Sequence, residues 1–349
     1  MNTPALAPGA RMRTEITAQP AVFDAVLRRR ADLAGVAAAI ERHRPRFALL
    51  AARGSSDHAA LYAKYLIEVL LRLPAGLASP STTTLYGAEP DLSGVLYLTV
   101  SQSGSSPDLV EATEAARRCG ALTVAVTNSP ASPLATSAEL SVDIGAGDEL
   151  AVAATKTYTA SLLTLYLLVD AVRGGTGEPA AGIGALAEET LTGAAGAVRE
   201  AAEHYRFVER IVTTGRGYSS ATAAEAALKL AETSYLAARA YSGADLLHGP
   251  VAAIDAETGV LAVASAGPGG AAMRDVVAAV RERGADVLAV GSAAAEITDG
   301  PRIDVPRTAE EVAPILEVLP LQQLALELAL ARGGDPDRPR GLTKVTRTR

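Results

Sequence analysis

Short apolar runs recur along the chain, each closed by a glycine- or serine-bearing turn and followed by a stretch with helical period. Residues 46–51 form one such run. Gly54-Ser55-Ser56-Asp57 closes it and caps a helix through Tyr65 and Leu70. Residues 96–100 predict a second strand, 101–106 a loop and 108–118 a helix. Two further strands are predicted at 122–126 and 140–144, then a helix over about 151–172. Strands that are apolar throughout and alternate with helices predict parallel βαβ units, with helices on both faces of the sheet.

The chain also repeats itself. Cys119-Gly-Ala-Leu-Thr-Val-Ala-Val126 aligns with Arg283-Gly-Ala-Asp-Val-Leu-Ala-Val290, and the same shift brings Val100-Ser101 onto Ala264-Ser265. A shift one residue smaller brings Arg53-Gly54 onto Arg216-Gly217. The pattern therefore predicts an α/β chain with two tandem domains of one layout: an N-terminal segment 1–30, a first domain 31–173, a linker 174–190, a second domain 191–333 and a tail 334–349. In parallel sheets of this kind ligands bind beyond the carboxyl ends of the strands, where the loops just named lie.

Composition narrows the function classes. The 349 residues carry 32 Lys+Arg against 39 Asp+Glu, a formal net charge of -7, which offers no electrostatic footprint for nucleic acid. Basic residues cluster only in the tail, at Arg338, Arg340, Lys344, Arg347 and Arg349. The lone Cys119 excludes an intrachain disulfide, and His43, His58, His204 and His248 lack zinc-ligand spacing. No basic-then-apolar leader opens the sequence, and the apolar stretch 160–169 is too short to span a bilayer. These features predict a cytoplasmic enzyme or binding protein without metal, nucleic acid or membrane partners.

Three segments carry candidate chemistry. Ser101-Gln102-Ser103-Gly104-Ser105-Ser106 joins a predicted strand to a predicted helix. Its hydroxyls, amide and backbone N–H groups suit a phosphate, though a plain Ser/Gly turn with a cap has the same composition. Ser55 occupies the equivalent place after the preceding strand. The second copy has Ser265-Ala-Gly-Pro-Gly-Gly270 with most hydroxyls gone, which predicts one phosphate site and not two.

Glu225, Lys229 and Glu232 fall at i, i+4 and i+7 on a helix predicted over about 222–240. Such a stripe is either a solvated face with ordinary ion pairs or, in the alanine-rich setting of 223–231, a proton-transfer site in a dry cleft. His248, in the turn-rich segment Gly243-Ala-Asp-Leu-Leu-His-Gly-Pro250, is either structural or available for proton transfer. Gly215-Arg-Gly217 resembles half of a dinucleotide fingerprint, with Ser220 where the last glycine belongs.

Taken together these segments resemble the sugar isomerase (SIS) family, more closely the isomerase half of the glutamine–fructose-6-phosphate amidotransferases and their stand-alone aminosugar-phosphate relatives. The resemblance rests on Glu15-Ile16, Gln19-Pro20, Arg53-Gly-Ser-Ser56, Ser101-Gln-Ser-Gly104, Ala153-Ala-Thr-Lys156 and Glu225-Ala-Ala-Leu-Lys-Leu-Ala-Glu232. It continues through His248-Gly-Pro250, Pro320-Leu-Gln322 and Asp337-Arg-Pro-Arg-Gly-Leu-Thr-Lys344. It implies two tandem SIS domains, each a flavodoxin-like three-layer sandwich.

By this resemblance Ser55, Ser101, Gln102, Ser103 and Ser106 hold a sugar 6-phosphate, and Val152 touches the sugar. Glu232 shuttles the proton between C1 and C2 with Lys229 and Glu225 beside it. Lys344 meets the open-chain carbonyl. His248 promotes ring opening from the neighbouring subunit of a homodimer. No cofactor or metal is implied. Ser105 and Ser242-Gly-Ala-Asp245 depart from the synthase pattern, which bears on the sugar recognised.

With no glutaminase segment or N-terminal nucleophilic cysteine in the sequence, the expected activity is a deaminase/isomerase. It would convert glucosamine 6-phosphate to fructose 6-phosphate and ammonia. A dehydratase eliminating water from N-acetylglucosamine 6-phosphate, using the same acid/base set, and a non-catalytic sugar-phosphate sensor are the alternatives. A nucleotide-dependent dehydrogenase ranks below them.

Overall fold

A computed structural model describes residues 6–344. Single helical turns aside, the chain runs α1 (Ala10–Thr17), α2 (Gln19–Arg28), α3 (Ala34–His43), β1 (Phe47–Ala51), α4 (Ser55–Leu70), β2 (Ala75–Leu77), β3 (Val95–Ser101), α5 (Pro107–Arg118), β4 (Leu122–Thr127), β5 (Leu140–Asp143) and α6 (Lys156–Val172). It continues through α7 (Ile183–His204), β6 (Arg210–Gly215), α8 (Ser219–Ser234), β7 (Arg239–Ser242), β8 (Thr258–Val263), α9 (Met273–Arg281), β9 (Asp286–Gly291), β10 (Arg302–Asp304) and α10 (Ala313–Ala331).

Two compact units result. One consists of Ala21–Asp148 with Thr157–Ala181; the other gathers the residues up to Pro20, Glu149–Lys156 and Gly182–Lys344. The first holds a five-stranded sheet in the order β2-β1-β3-β4-β5, the second one in the order β7-β6-β8-β9-β10. The two orders are the same layout, the flavodoxin-like 2-1-3-4-5, and every strand pair is parallel. The repeat seen in the sequence is thus a repeat of βαβ topology.

Burial on both faces explains why the central strands carry no alternation: every residue of β4 and of β8 is buried. In the second unit a valine-rich set (Val260, Val276, Val277, Val280, Val287) packs with Leu246 and Met273 between sheet and helices. Helix α10 is apolar nearly all round and lies in the core. It is the one helix among the described residues long and apolar enough to cross a membrane, yet 83% of its apolar window is buried inside the protein. Glu317, Gln322 and Gln323 interrupt it, so its sequence shows no unbroken apolar run.

Two predicted helix bounds are corrected. The helix expected from about 151 begins at Lys156, because side-chain carboxylates hold the backbone N–H groups of 150, 151 and 155 in an irregular segment. The helix expected over 222–240 spans Ser219–Ser234 and stops where Tyr235 turns left-handed (φ 58°), after which 239–242 joins the sheet edge as β7. Alanine-rich sequence has little periodicity to mark either change. Helix α7 starts at Ile183, inside the stretch 174–190 expected as a linker.

Candidate active site

In the first unit the strand order reverses between β1 and β3, the switch point at which open α/β sheets bind ligands. The loops leaving these strands are Ala52–Ser55 and Ser101–Ser106, and each runs into a helix N-terminus, α4 and α5. Arg53 ties them together: its Nε and Nη2 both donate to Asp108 Oδ2 at 2.9 Å, and Asp108 is buried in the first turn of α5.

The serine loop is folded on itself. The Gly104 N–H donates to Ser101 Oγ (3.2 Å), the Ser105 N–H donates to Ser103 Oγ (3.3 Å), and the Gln102 carbonyl accepts from the Asn128 N–H (3.1 Å). Gly104 has φ 61°, and a Cβ there would stand 2.1 Å from Ser132 Oγ, so only glycine fits. Ser106 opens α5 without a side-chain cap bond, with Pro107 at the first helical position. Ser55, Gln102, Ser103 and Ser106 are half-buried and Ser101 is buried. The sequence thus places Ser55, Ser101, Gln102, Ser103 and Ser106 on adjacent loops of one sheet. Nearby Asp57, in the first turn of α4, is held above the usual carboxylate range chiefly by burial, against the pull of His58 and Arg53.

The second unit contains the ionisable cluster. On α8, Glu225 and Lys229 are buried, and Glu232 keeps a quarter of its side chain exposed. Lys229 Nζ stands 3.5 Å from Glu225 Oε1 and donates to Glu232 Oε2. Burial pulls the Lys229 pKa down, but Glu225, Glu232 and Glu149 together outweigh it and hold it above the ordinary lysine value. Lys229 is thus held as an ammonium between Glu225 and Glu232. The stripe read from spacing is not a solvated face.

Glu149 was not singled out in the sequence. Its side chain is fully buried. Oε2 takes the Lys344 ammonium at 2.7 Å, and Oε1 accepts the Thr155 N–H at 2.9 Å. Glu15 accepts N–H bonds from Leu150 and Ala151, and its pKa is raised by burial first and by the Glu149 charge, with these N–H groups and Lys344 opposing. Two buried amides complete the frame: Gln19 Nε2 donates to Gln322 Oε1 (2.9 Å), and Gln322 Nε2 donates to the Thr155 carbonyl (3.2 Å).

Glu15, Gln19 and Gln322, quoted above only as matching residues, thus hold the irregular segment 149–155 on which half-buried Val152 rides. Its Gly-Asp-Glu start has no period and no motif. The only signal was its need for hydrogen-bond acceptors outside a helix.

His248 ends the short turn Gly243–Leu247, its N–H donating to the Ala244 and Asp245 carbonyls. Its side chain is exposed, and among the described residues no hydrogen bond joins it to the Lys229 cluster. Gly215-Arg-Gly217 leads straight into α8; a Cβ on Gly215 would lie 2.6 Å from the Ser219 carbonyl oxygen, so that glycine serves close helix packing.

Comparison with known proteins adds the following. The SIS domain profile matches residues 44–171 and 204–332. The chain is 36% identical over 314 residues to a glutamine–fructose-6-phosphate aminotransferase (isomerizing) of Thermus thermophilus, covering 83% of this chain and 50% of that protein. It thus spans about half the length of the curated relatives it matches. A candidate phosphosugar isomerase from Silicibacter pomeroyi DSS-3 superposes with TM-score 0.84 at 36% identity, over 93% of this chain and 99% of that one. A glucosamine-6-phosphate deaminase from Thermotoga maritima shares the fold (TM-score 0.78, 22% identity, 97% and 100% of the two chains).

Proposed function

The chain belongs to the SIS domain family, and from that premise we propose that it is an aminosugar-phosphate deaminase/isomerase that converts glucosamine 6-phosphate to fructose 6-phosphate and ammonia. The observation that carries this reading is the convergence of two lysines and three carboxylates in one unit: Lys229 with Glu225 and Glu232, and Lys344 with Glu149. A carboxylate hydrogen-bonded to a buried ammonium, with part of its surface open, is placed to take a proton from carbon.

In this reading the serine loop and Ser55 take the 6-phosphate with hydroxyls, backbone N–H groups and helix N-termini. Anchoring the remote end fixes the reacting carbons. After ring opening, Glu232 removes the C2 proton as the C1 oxygen gains one, then returns it to C1 as the amine loses an N–H proton, leaving a C=N bond at C2. Water adds to C2, the C–N bond breaks, and ammonia leaves with the ketone formed. Lys229 holds Glu232 by a direct ion pair, with Glu225 on the other side of the ammonium. The exposed His248 imidazole suits donation to a neighbouring subunit of a homodimer, and Lys344 stands ready for the carbonyl. None of these steps calls on a cofactor.

Incubation with glucosamine 6-phosphate should release one ammonia per fructose 6-phosphate, and Glu232→Gln should abolish release while still binding inorganic phosphate. Absence of ammonia at high enzyme concentration would overturn the reading. So would an unsaturated product from N-acetylglucosamine 6-phosphate, which would assign the same carboxylate to elimination of water.

A further inference from the structure

We infer that Tyr235 is a positioning residue that sets where Lys344 stands; this rests on the reading of Lys344 as a reacting group. Beyond α10 the chain continues as a strap over 335–344. Its root is pinned to the start of α1: Asp335 Oδ1 accepts the Gly9 N–H (3.0 Å), and the Asp337 carboxylate accepts those of Arg11 (2.8 Å) and Met12 (3.0 Å). Its end is pinned where Lys344 meets Glu149 at 2.7 Å. Between them, Arg340, Gly341, Leu342 and Thr343 are exposed.

Tyr235 holds this exposed stretch twice. The Arg340 guanidinium lies 3.9 Å from its ring centroid, and the Arg340 N–H donates to Tyr235 Oη at 3.1 Å. Tyr235 also follows the last residue of α8 in the left-handed region (φ 58°, ψ 27°). Glycine or asparagine takes that conformation far more readily, so a tyrosine there retains a side chain at the expense of backbone comfort. Glu232 lies three residues earlier on the same helix end. One helix terminus therefore carries the proton-shuttling carboxylate and grips the strap that delivers the lysine. The two reacting groups are held in a fixed relation without Tyr235 touching substrate.

The test compares Tyr235→Gly with Tyr235→Phe. Glycine relieves the left-handed strain, so it removes the grip without unfolding the helix end. Phenylalanine keeps the ring under Arg340 and loses the hydroxyl. Acylation of lysine amines by an N-hydroxysuccinimide ester, read by mass spectrometry, reports Lys344, with Lys64, ion-paired to Glu68 at 2.7 Å, as the internal standard.

Loss of one cation–π contact and one hydrogen bond should raise Lys344 labelling about tenfold in Tyr235→Gly, with an intermediate rise in Tyr235→Phe. kcat on glucosamine 6-phosphate should fall by a similar factor with KM little changed. Unchanged Lys344 labelling in Tyr235→Gly would overturn the inference, as would raised labelling with undiminished kcat. Labelling needs no substrate. If the wild-type protein turns over no aminosugar phosphate, the reading of Lys344 as a reacting group fails, while labelling still decides whether Tyr235 places it.

Discussion

Replacing Lys229 by methionine tests the electrostatic core of the site. The ammonium is completely buried, 3.5 Å from Glu225 Oε1, in direct contact with Glu232 and within the field of Glu149. At an effective dielectric near 20, one such pair at this distance is worth about 5 kcal/mol before desolvation is subtracted. Methionine fills much the same volume but strands the buried Glu225 carboxylate, and breaking a buried pair in this way costs roughly 3–5 kcal/mol.

For a unit of this size that is a fall in Tm of the order of 10 °C. The pH dependence follows with a definite sign. Lys229 has its pKa raised in the folded protein, so its stabilisation is fully present at neutral pH and fades only above the ordinary lysine range. Lys229 itself therefore adds no pH dependence to the wild-type stability between pH 6 and 9.

Removing the cation also takes away the group that holds Glu232 in place, so ammonia release should fall at least tenfold. Calorimetry and ammonia release on the same preparations measure both effects. Adding Glu225→Gln should recover much of the lost stability, because the stranded charge is gone. A Lys229→Met variant that melts with the wild type and keeps its rate would refute this account.

Two further perturbations probe the frame. Glu317 is fully buried in α10, accepts hydrogen bonds from Ser219 (3.1 Å) and Thr222 (3.4 Å), and has its pKa pushed up by burial to about 8. The folded state then holds a proton that the unfolded chain releases above its ordinary value of 4.5, so stability falls as pH rises between those values. Glu317→Gln should flatten that slope and gain of the order of 4 kcal/mol on wild type by pH 8, read from urea melts at pH 5 and 8; parallel pH dependences would contradict it. Gly104→Ala places a methyl 2.1 Å from Ser132 Oγ in a left-handed conformation, so the serine loop must move. Inorganic phosphate binding by calorimetry should weaken at least tenfold, on the order of one well-placed charge-assisted hydrogen bond or more, and unaltered affinity would remove the loop from the phosphate site.

The sequence made the sheets and the α8 stripe legible because each rests on a regular period: apolar runs for β1, β3, β4 and β8, and i, i+4, i+7 spacing for Glu225, Lys229 and Glu232. It left β2 and β7 unread, since three or four residues at a sheet edge carry too little pattern. Glu149 and the role of Glu15 were hidden for a different reason. They serve the backbone of 150–155: Glu15 takes the N–H groups of 150 and 151 from over 130 residues away in sequence, and Glu149 takes that of Thr155 within an irregular turn. Spacing along one helix reports what that helix presents; it is silent on carboxylates that meet it from an irregular strand.

The second copy of the fold shows why equal topology need not mean equal binding. Its loops after β6 and β8 stand where the first copy has Ser55 and the serine loop, and the sequence reading attributed the difference to lost hydroxyls. The structure adds an occupant. Glu310 Oε1 accepts the Gly269 N–H at 2.7 Å, and a Cβ on Gly267 would fall 2.4 Å from Glu310 Oε2. The glycines that free a backbone to approach a phosphate here admit the chain's own carboxylate. A carboxylate seated against the Gly269 N–H repels a dianion and takes a donor it would need. Beneath it, Ser219 and Ser265, 3.3 Å apart, are engaged with each other, and Ser219 with Glu317. The first copy leaves Ser55, Ser103 and Ser106 half-exposed at the switch point, and the second turns Ser219 inward to a buried acid. The same strand–loop–helix unit thereby leaves a serine loop open in one place and frames the α8 cluster in the other.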